Sequence, residues 1–115
     1  MASTFKNIGA LITTNDNSSS DIYTSPASTY AVIHSLFLSN HSEISPAKVD
    51  VKVTTDGGTT FYNVLKAASI EQSNTLIIDK PINLEPNDKL RVFVYTNEDS
   101  TVPTVHAFAS ILEIT

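Results

Sequence analysis

The chain has 115 residues, no cysteine, and twelve Asp plus Glu against seven Lys plus Arg, a formal net charge of −5. That length suits one domain burying roughly two thirds of the surface its unfolded chain would expose, and the missing thiols exclude disulfides and thiolate metal sites. The seven cations are scattered (Lys6, Lys48, Lys52, Lys66, Lys80, Lys89, Arg91), whereas nucleic-acid binding is driven by a basic patch that neutralises phosphates, so no nucleic-acid partner is expected.

The opening MASTFKNIGALITT carries one lysine and a short apolar patch interrupted by Gly9, and does not read as a secretory leader. No apolar run approaches the ~20 residues that span a bilayer, so no membrane partner is expected either. Residues 13–21 (TTNDNSSSD) are too poor in hydrophobics to pack. We therefore expect residues 1–20 to hold an N-terminal strand and a flexible polar arm, and residues 21–115 to form a β-sandwich domain. Residues 1–12 either add an edge strand to their own sheet or reach a neighbour.

From there the dominant period is two. Val, Ile and Thr make 34 of the 115 residues, and such β-branched side chains suit a pleated surface. YAVIHSLFLSN (30–40) is apolar on both faces, as a central strand is. Ala47, Val49, Val51 and Val53 alternate with Lys48, Asp50, Lys52 and Thr54, the pattern of a strand with one buried face. Asp56-Gly57-Gly58 offers the positive-φ residues of a tight hairpin turn. VLKAASIEQ (64–72) reads as a strand and loop or as a helical turn or two, because short apolar runs are ambiguous. Glu85-Pro86-Asn87-Asp88 sets proline at the second position of a turn. Leu90, Val92 and Val94 then alternate with Arg91, Phe93 and Tyr95. In the last strand Val105, Ala107, Ala109 and Ile111 share one face, while His106, Phe108, Ser110, Leu112 and Ile114 make the other nearly as apolar, so both faces read as covered. The fold class expected is all-β: an antiparallel β-sandwich of about eight strands, jelly-roll or immunoglobulin-like.

Chemistry is sparse. His34, His41 and His106 lack the spacing of metal ligands, no glycine-flanked serine elbow occurs, and Asn15-Asp16-Asn17 and Asn97-Glu98-Asp99 lack the alternating pattern of an EF-hand loop. No catalytic residue, metal or cofactor is assigned, and no enzyme is expected. Asn17-Ser18-Ser19 and Asn40-His41-Ser42 match the N-glycosylation pattern, which carries little weight without a secretory signal. What stands out is Phe93 and Tyr95, turned away from the core beside Arg91, since aromatics next to arginine are enriched at protein interfaces. With Phe5 and Ile8 of the N-terminal segment they form the candidate interface set.

IYTSPASTYAVIHSLFLSNHS, AKVDVKVTTDGGTTFYNVL, LIIDKPINLEPNDKLRVFVYTN and VHAFASILEIT together resemble small virion structural proteins of tailed bacteriophages of the marine and cyanophage type. The resemblance runs over residues 21–115: a Tyr-Thr-x-Pro opening (Ile22 to Pro26), a strand closing at Asn40, a valine-alternating strand leading to a glycine turn and an aromatic (Val49 to Tyr62), an Asp-Lys-Leu step (Leu84 to Leu90), and a closing strand (Ala109 to Ile114). Pro86-Asn87 departs from the small residue and glycine usual before that aspartate, which changes the turn type. The resemblance implies a capsid decoration or cement protein, binding the major capsid protein or other virion proteins as a homo-oligomer or in many copies. It would sit on the capsid surface of the virion after assembly in the host cytoplasm. A tail, neck or baseplate component, and a carbohydrate-binding or adhesin module on the particle, are the alternatives.

Overall fold

The computed structural model describes residues 2–12, 21–42, 45–57, 59–95 and 104–115. Nine strands carry them: β1 (Ser3–Ile12), β2 (Asp21–Thr24), β3 (Tyr30–Asn40), β4 (Ala47–Thr54), β5 (Phe61–Ile70), β6 (Thr75–Ile78), β7 (Ile82–Leu84), β8 (Lys89–Val94) and β9 (Val105–Ile114). VLKAASIEQ thus resolves mostly into strand, within β5. β6 and β7 both pair with β3, on the same side, and are separated by Asp79-Lys80-Pro81, where proline offers no N–H to the ladder.

The strands form two antiparallel sheets. One has the order β1-β9-β3, with β6 and β7 beyond β3; the other has the order β2-β8-β4-β5. The pairing is nested: β1 lies on β9, β2 on β8, β3 on β6 and β7, and β4 on β5. A chain folded back on itself in this way and rolled into two sheets is a jelly roll. The immunoglobulin alternative would set β1 beside its successor in one sheet, whereas β1 pairs with β9 over all ten of its residues.

Between the sheets lies one apolar core. The alternation read from the sequence holds for Val49 and Val51 on β4, Leu90, Val92 and Val94 on β8, and Val105, Ala109 and Ile111 on β9, which are buried against Ile33, Leu36 and Leu38 of β3. On β4 it is broken by Val53, only half-buried, and by Asp50 and Thr54, buried although they alternate with the valines. Each such Val, Leu or Ile side chain contributes about 1.5–3 kcal/mol by leaving water, and no disulfide adds to it. Ile12 closes the core at the end of β1, and Ile8 and Ala10 pack against it.

The turns follow their residues. Gly57 takes φ +79° in the β4–β5 hairpin, and the Asp56 carboxylate accepts the Thr59 and Thr60 N–H groups at 3.1 and 2.9 Å. Asn87 takes φ +70° behind Pro86, and the Asp88 N–H reaches the Glu85 carbonyl at 3.0 Å, which makes a type II turn. One expectation fails. β9 is covered on its inner face alone, and Phe108 on the outer face is 44 % exposed, because no layer among the described residues lies over it.

Candidate interaction surface

Four of the five interface candidates lie on the two outer faces of the sandwich, and the fifth points inward. Arg91 and Phe93 project from β8 onto the outer face of the β2 sheet, with Tyr95 just beyond the strand. Phe5 projects from the outer face of the β1 sheet, on the opposite side of the molecule. Ile8 packs against the core.

On the β2-sheet face every candidate is already engaged. The Arg91 Nε donates to Asp21 Oδ1, and the guanidinium lies 3.8 Å over the Phe61 ring. Lys89 Nζ reaches the same carboxylate at 3.8 Å. Phe93 and Tyr95 meet edge to face at 5.3 Å, and the Lys52 ammonium stands 5.4 Å from the Phe93 ring centre. The Tyr95 hydroxyl donates to Asp50, 2.9 Å from Oδ1. Asp50 also accepts the Ala67 N–H at 2.7 Å, where β5 bulges with Ala67 at φ +50°. The face is therefore a pre-ordered lattice of cations, carboxylates and rings. Pre-ordering lowers the entropic cost of binding.

The β1-sheet face has another chemistry. The register aligns its outward residues in rows across the strands: Leu11, His106 and Ser39; Gly9, Phe108, Phe37 and Ile77; Asn7, Ser110 and Ser35; Phe5, Leu112 and Val32. Phe5 is 80 % exposed, Leu11 64 % and Ile77 53 %. No Asp, Glu, Lys or Arg occupies an outward strand position of this face. Gly9 leaves an open groove of about 460 Å³ bordered by Leu11, His106 and Phe108. Sequence spacing, which separates the three histidines, misses that His41 and His106 stack at 3.6 Å between ring centres, and that His34 lies 6.4 Å from the Phe5 ring.

The charged residues of β1 and β9 lie on the other side of the sheet. Lys6 and Glu113 sit on the inner side of β1 and β9, 3.6 Å apart, where the Tyr23 hydroxyl donates to Glu113 at 2.6 Å. Burial first, then the hydrogen bond and the negative charge of Glu113, push the Tyr23 phenol well above its ordinary range. Asn40 of the glycosylation pattern is buried: its Nδ2 donates to the Ser45 and Ile70 carbonyls at 3.0 Å each, so its amide faces the fold and not a glycan. The Asn15-Asp16-Asn17, Asn17-Ser18-Ser19 and Asn97-Glu98-Asp99 stretches lie outside the described residues. Among the described residues no group of three or more His, Asp or Glu could hold a metal ion.

No protein-family model and no curated protein sequence matches the chain. Solved structures do. A chain of the T13 IBDV viral particle superposes with a TM-score of 0.59 at 12 % identity, over 96 % of this chain and 30 % of that one. A chain of infectious bursal disease virus strain Gt gives 0.54 at 10 %, over 96 % and 32 %. A chain of the acidic stable capsid of Helicobacter pylori bacteriophage KHP30 gives 0.56 at 14 %, over 99 % of this chain and 98 % of that one. This chain thus spans about a third of the bursal disease virus chains and nearly the whole of the phage chain. At these identities the likeness is one of fold.

Proposed function

We propose that this chain is a structural protein of a virus particle that works by binding, and more narrowly a cement or decoration protein seated in many copies on the major capsid protein of a tailed-phage shell. The observation that carries this reading is the two-way match in length. The phage capsid contains a chain that begins and ends its fold where this one does, with 99 % and 98 % mutual coverage. A jelly roll of this size suits an accessory unit added to a shell. The net charge of −5 favours solubility of many copies before they attach, and repeated weak contacts add up to firm retention.

For the contact with the shell we assign the Arg91, Phe93 and Tyr95 face, whose side chains are held in place before binding. Glycan binding through Phe93 and Tyr95 is less favoured, because a sugar ring needs an open aromatic face and Lys52 stands over Phe93. Cryo-electron microscopy of purified particles tests the reading. Hundreds of copies over the shell support decoration, a few dozen or fewer at a vertex or along the tail assign the chain to a neck, tail or baseplate, and absence from particles removes the virion reading. Arg91→Ala with Phe93→Ala should lower occupancy on the shell while the protein stays folded.

A further inference from the structure

The outer face of the β1 sheet calls for an occupant of its own. From the geometry we infer that it packs face to face against the same face of a second copy of this chain, about a two-fold axis that crosses the strands over the Asn7–Ser110–Ser35 row.

Charge is the first argument. Two copies, each at −5, repel through most of their surfaces. A two-fold contact sets a patch against itself, residue i on residue j and j on i, and it costs least where the patch carries no charge to strip of water. The uncharged strand positions of this face satisfy that condition, whereas the opposite face, with its Asp21, Asp50, Lys52, Lys89 and Arg91, does not.

Area is the second. Four strands spaced ~4.8 Å apart and ten residues long at ~3.3 Å each present roughly 600 Å² per copy. A pair buries twice as much, at the lower end of the roughly 1,200–2,000 Å² of a stable specific interface. Two such faces also pack as sheets ordinarily do, with their strand directions nearly aligned.

Shape chooses the axis. Outward residues four apart on one strand stand ~13 Å from each other. Turning the face over about the Asn7–Ser110–Ser35 row exchanges position 5 with 9, and position 112 with 108. The exposed Phe5 ring of one copy then drops into the hollow over Gly9 of the other, and Leu112 meets Phe108. The row on the axis carries small side chains, so the two sheets approach there without collision. A bump and a hollow equidistant from one row on the same strand are what a self-complementary surface requires. This pairing does not depend on the virion reading, because it concerns the isolated protein.

The test is sedimentation velocity with light scattering on the full-length protein from ~1 to 100 µM. The result expected is a 25 kDa species, twice the 12.5 kDa chain. Gly9→Leu should weaken the pair by ~100-fold, a hot-spot effect, without unfolding the monomer, because a Cβ at Gly9 meets nothing nearer than Phe108 at 4.0 Å. Adding Phe5→Ala to Gly9→Leu should recover most of that loss. Ile77→Asp gives a second route to a monomer, with circular dichroism reporting that each variant keeps its strands, and Arg91→Ala on the far face should leave the pair intact. A wild-type chain monomeric at 100 µM, a trimer or open chain of copies, or a dimer indifferent to both Gly9→Leu and Ile77→Asp would overturn the inference. In the monomeric case, protection of this face in particles would assign it to another virion protein.

Discussion

Asp88 is buried at the turn before β8, and its carboxylate accepts the Gly57 N–H at 2.9 Å and the Glu85 N–H at 3.0 Å, with the Thr54 hydroxyl at 3.4 Å. One side chain thus ties the β4–β5 turn to the β7–β8 turn. Asp88→Ala leaves two backbone donors without this acceptor and should cost about 2–4 kcal/mol in urea denaturation; Asp88→Asn, which keeps one carbonyl oxygen, should cost roughly half of that. Tyr23 makes a prediction in pH. Its phenol ionises later in the folded protein than its ordinary value of 10.0, so its stabilisation is whole below about pH 10 and is lost as pH rises toward the folded value. Tyr23→Phe should lose about 1 kcal/mol at neutral pH, for one hydrogen bond, yet show a shallower fall in stability above pH 10. Parallel denaturation series at pH 7 and above pH 10 would show it. Neither role could be read from composition. Asp50 and Asp88 look like ordinary outward or turn carboxylates until the segments that carry Tyr95, Ala67 and Gly57 are placed beside them.

At the scale of elements the alternating runs were legible because each period-two stretch has one clearly apolar face, as in Val49, Val51 and Leu90, Val92, Val94. Turn residues were equally plain, and Asn87 at φ +70° shows why. A left-handed residue tolerates Asn or Gly and penalises a Cβ-branched side chain. Asn87→Gly should therefore be nearly neutral, Asn87→Ala should cost about 1 kcal/mol, and Asn87→Val more, in thermal unfolding. Two things escaped the pattern. β6 and β7, divided at Asp79-Lys80-Pro81, were not read as strands from the sequence. The outer face of β9 looked covered because its residues are apolar, and apolarity does not say whether the cover comes from the same chain or from another molecule.

Across the whole molecule the two outer faces have opposite characters, one a lattice of charge and aromatic rings, the other apolar and uncharged. Of the candidate interface set, the sequence pattern placed Arg91, Phe93 and Tyr95 together correctly, since they alternate with a buried run. It could not say that Phe5 belongs to the other side, because that depends on β1 pairing with β9 rather than with β8. β3 runs through the β1 sheet between β9 and the pair β6 and β7. Its register slips against β9 between Ile33 and Ser35, and on its other side β7 pairs through Ile33 and β6 begins at Leu36. The ladder is thus irregular on both flanks at one level, which sets a clock within the sheet. The amides of His34 and Ser35 should exchange with deuterium well before those of Leu36 and Leu38, by local opening that leaves the rest of the fold closed. Because His34 lies beside Phe5 on the apolar face, any molecule that settles there would slow that exchange, so its rate counts how much of the time the face is covered.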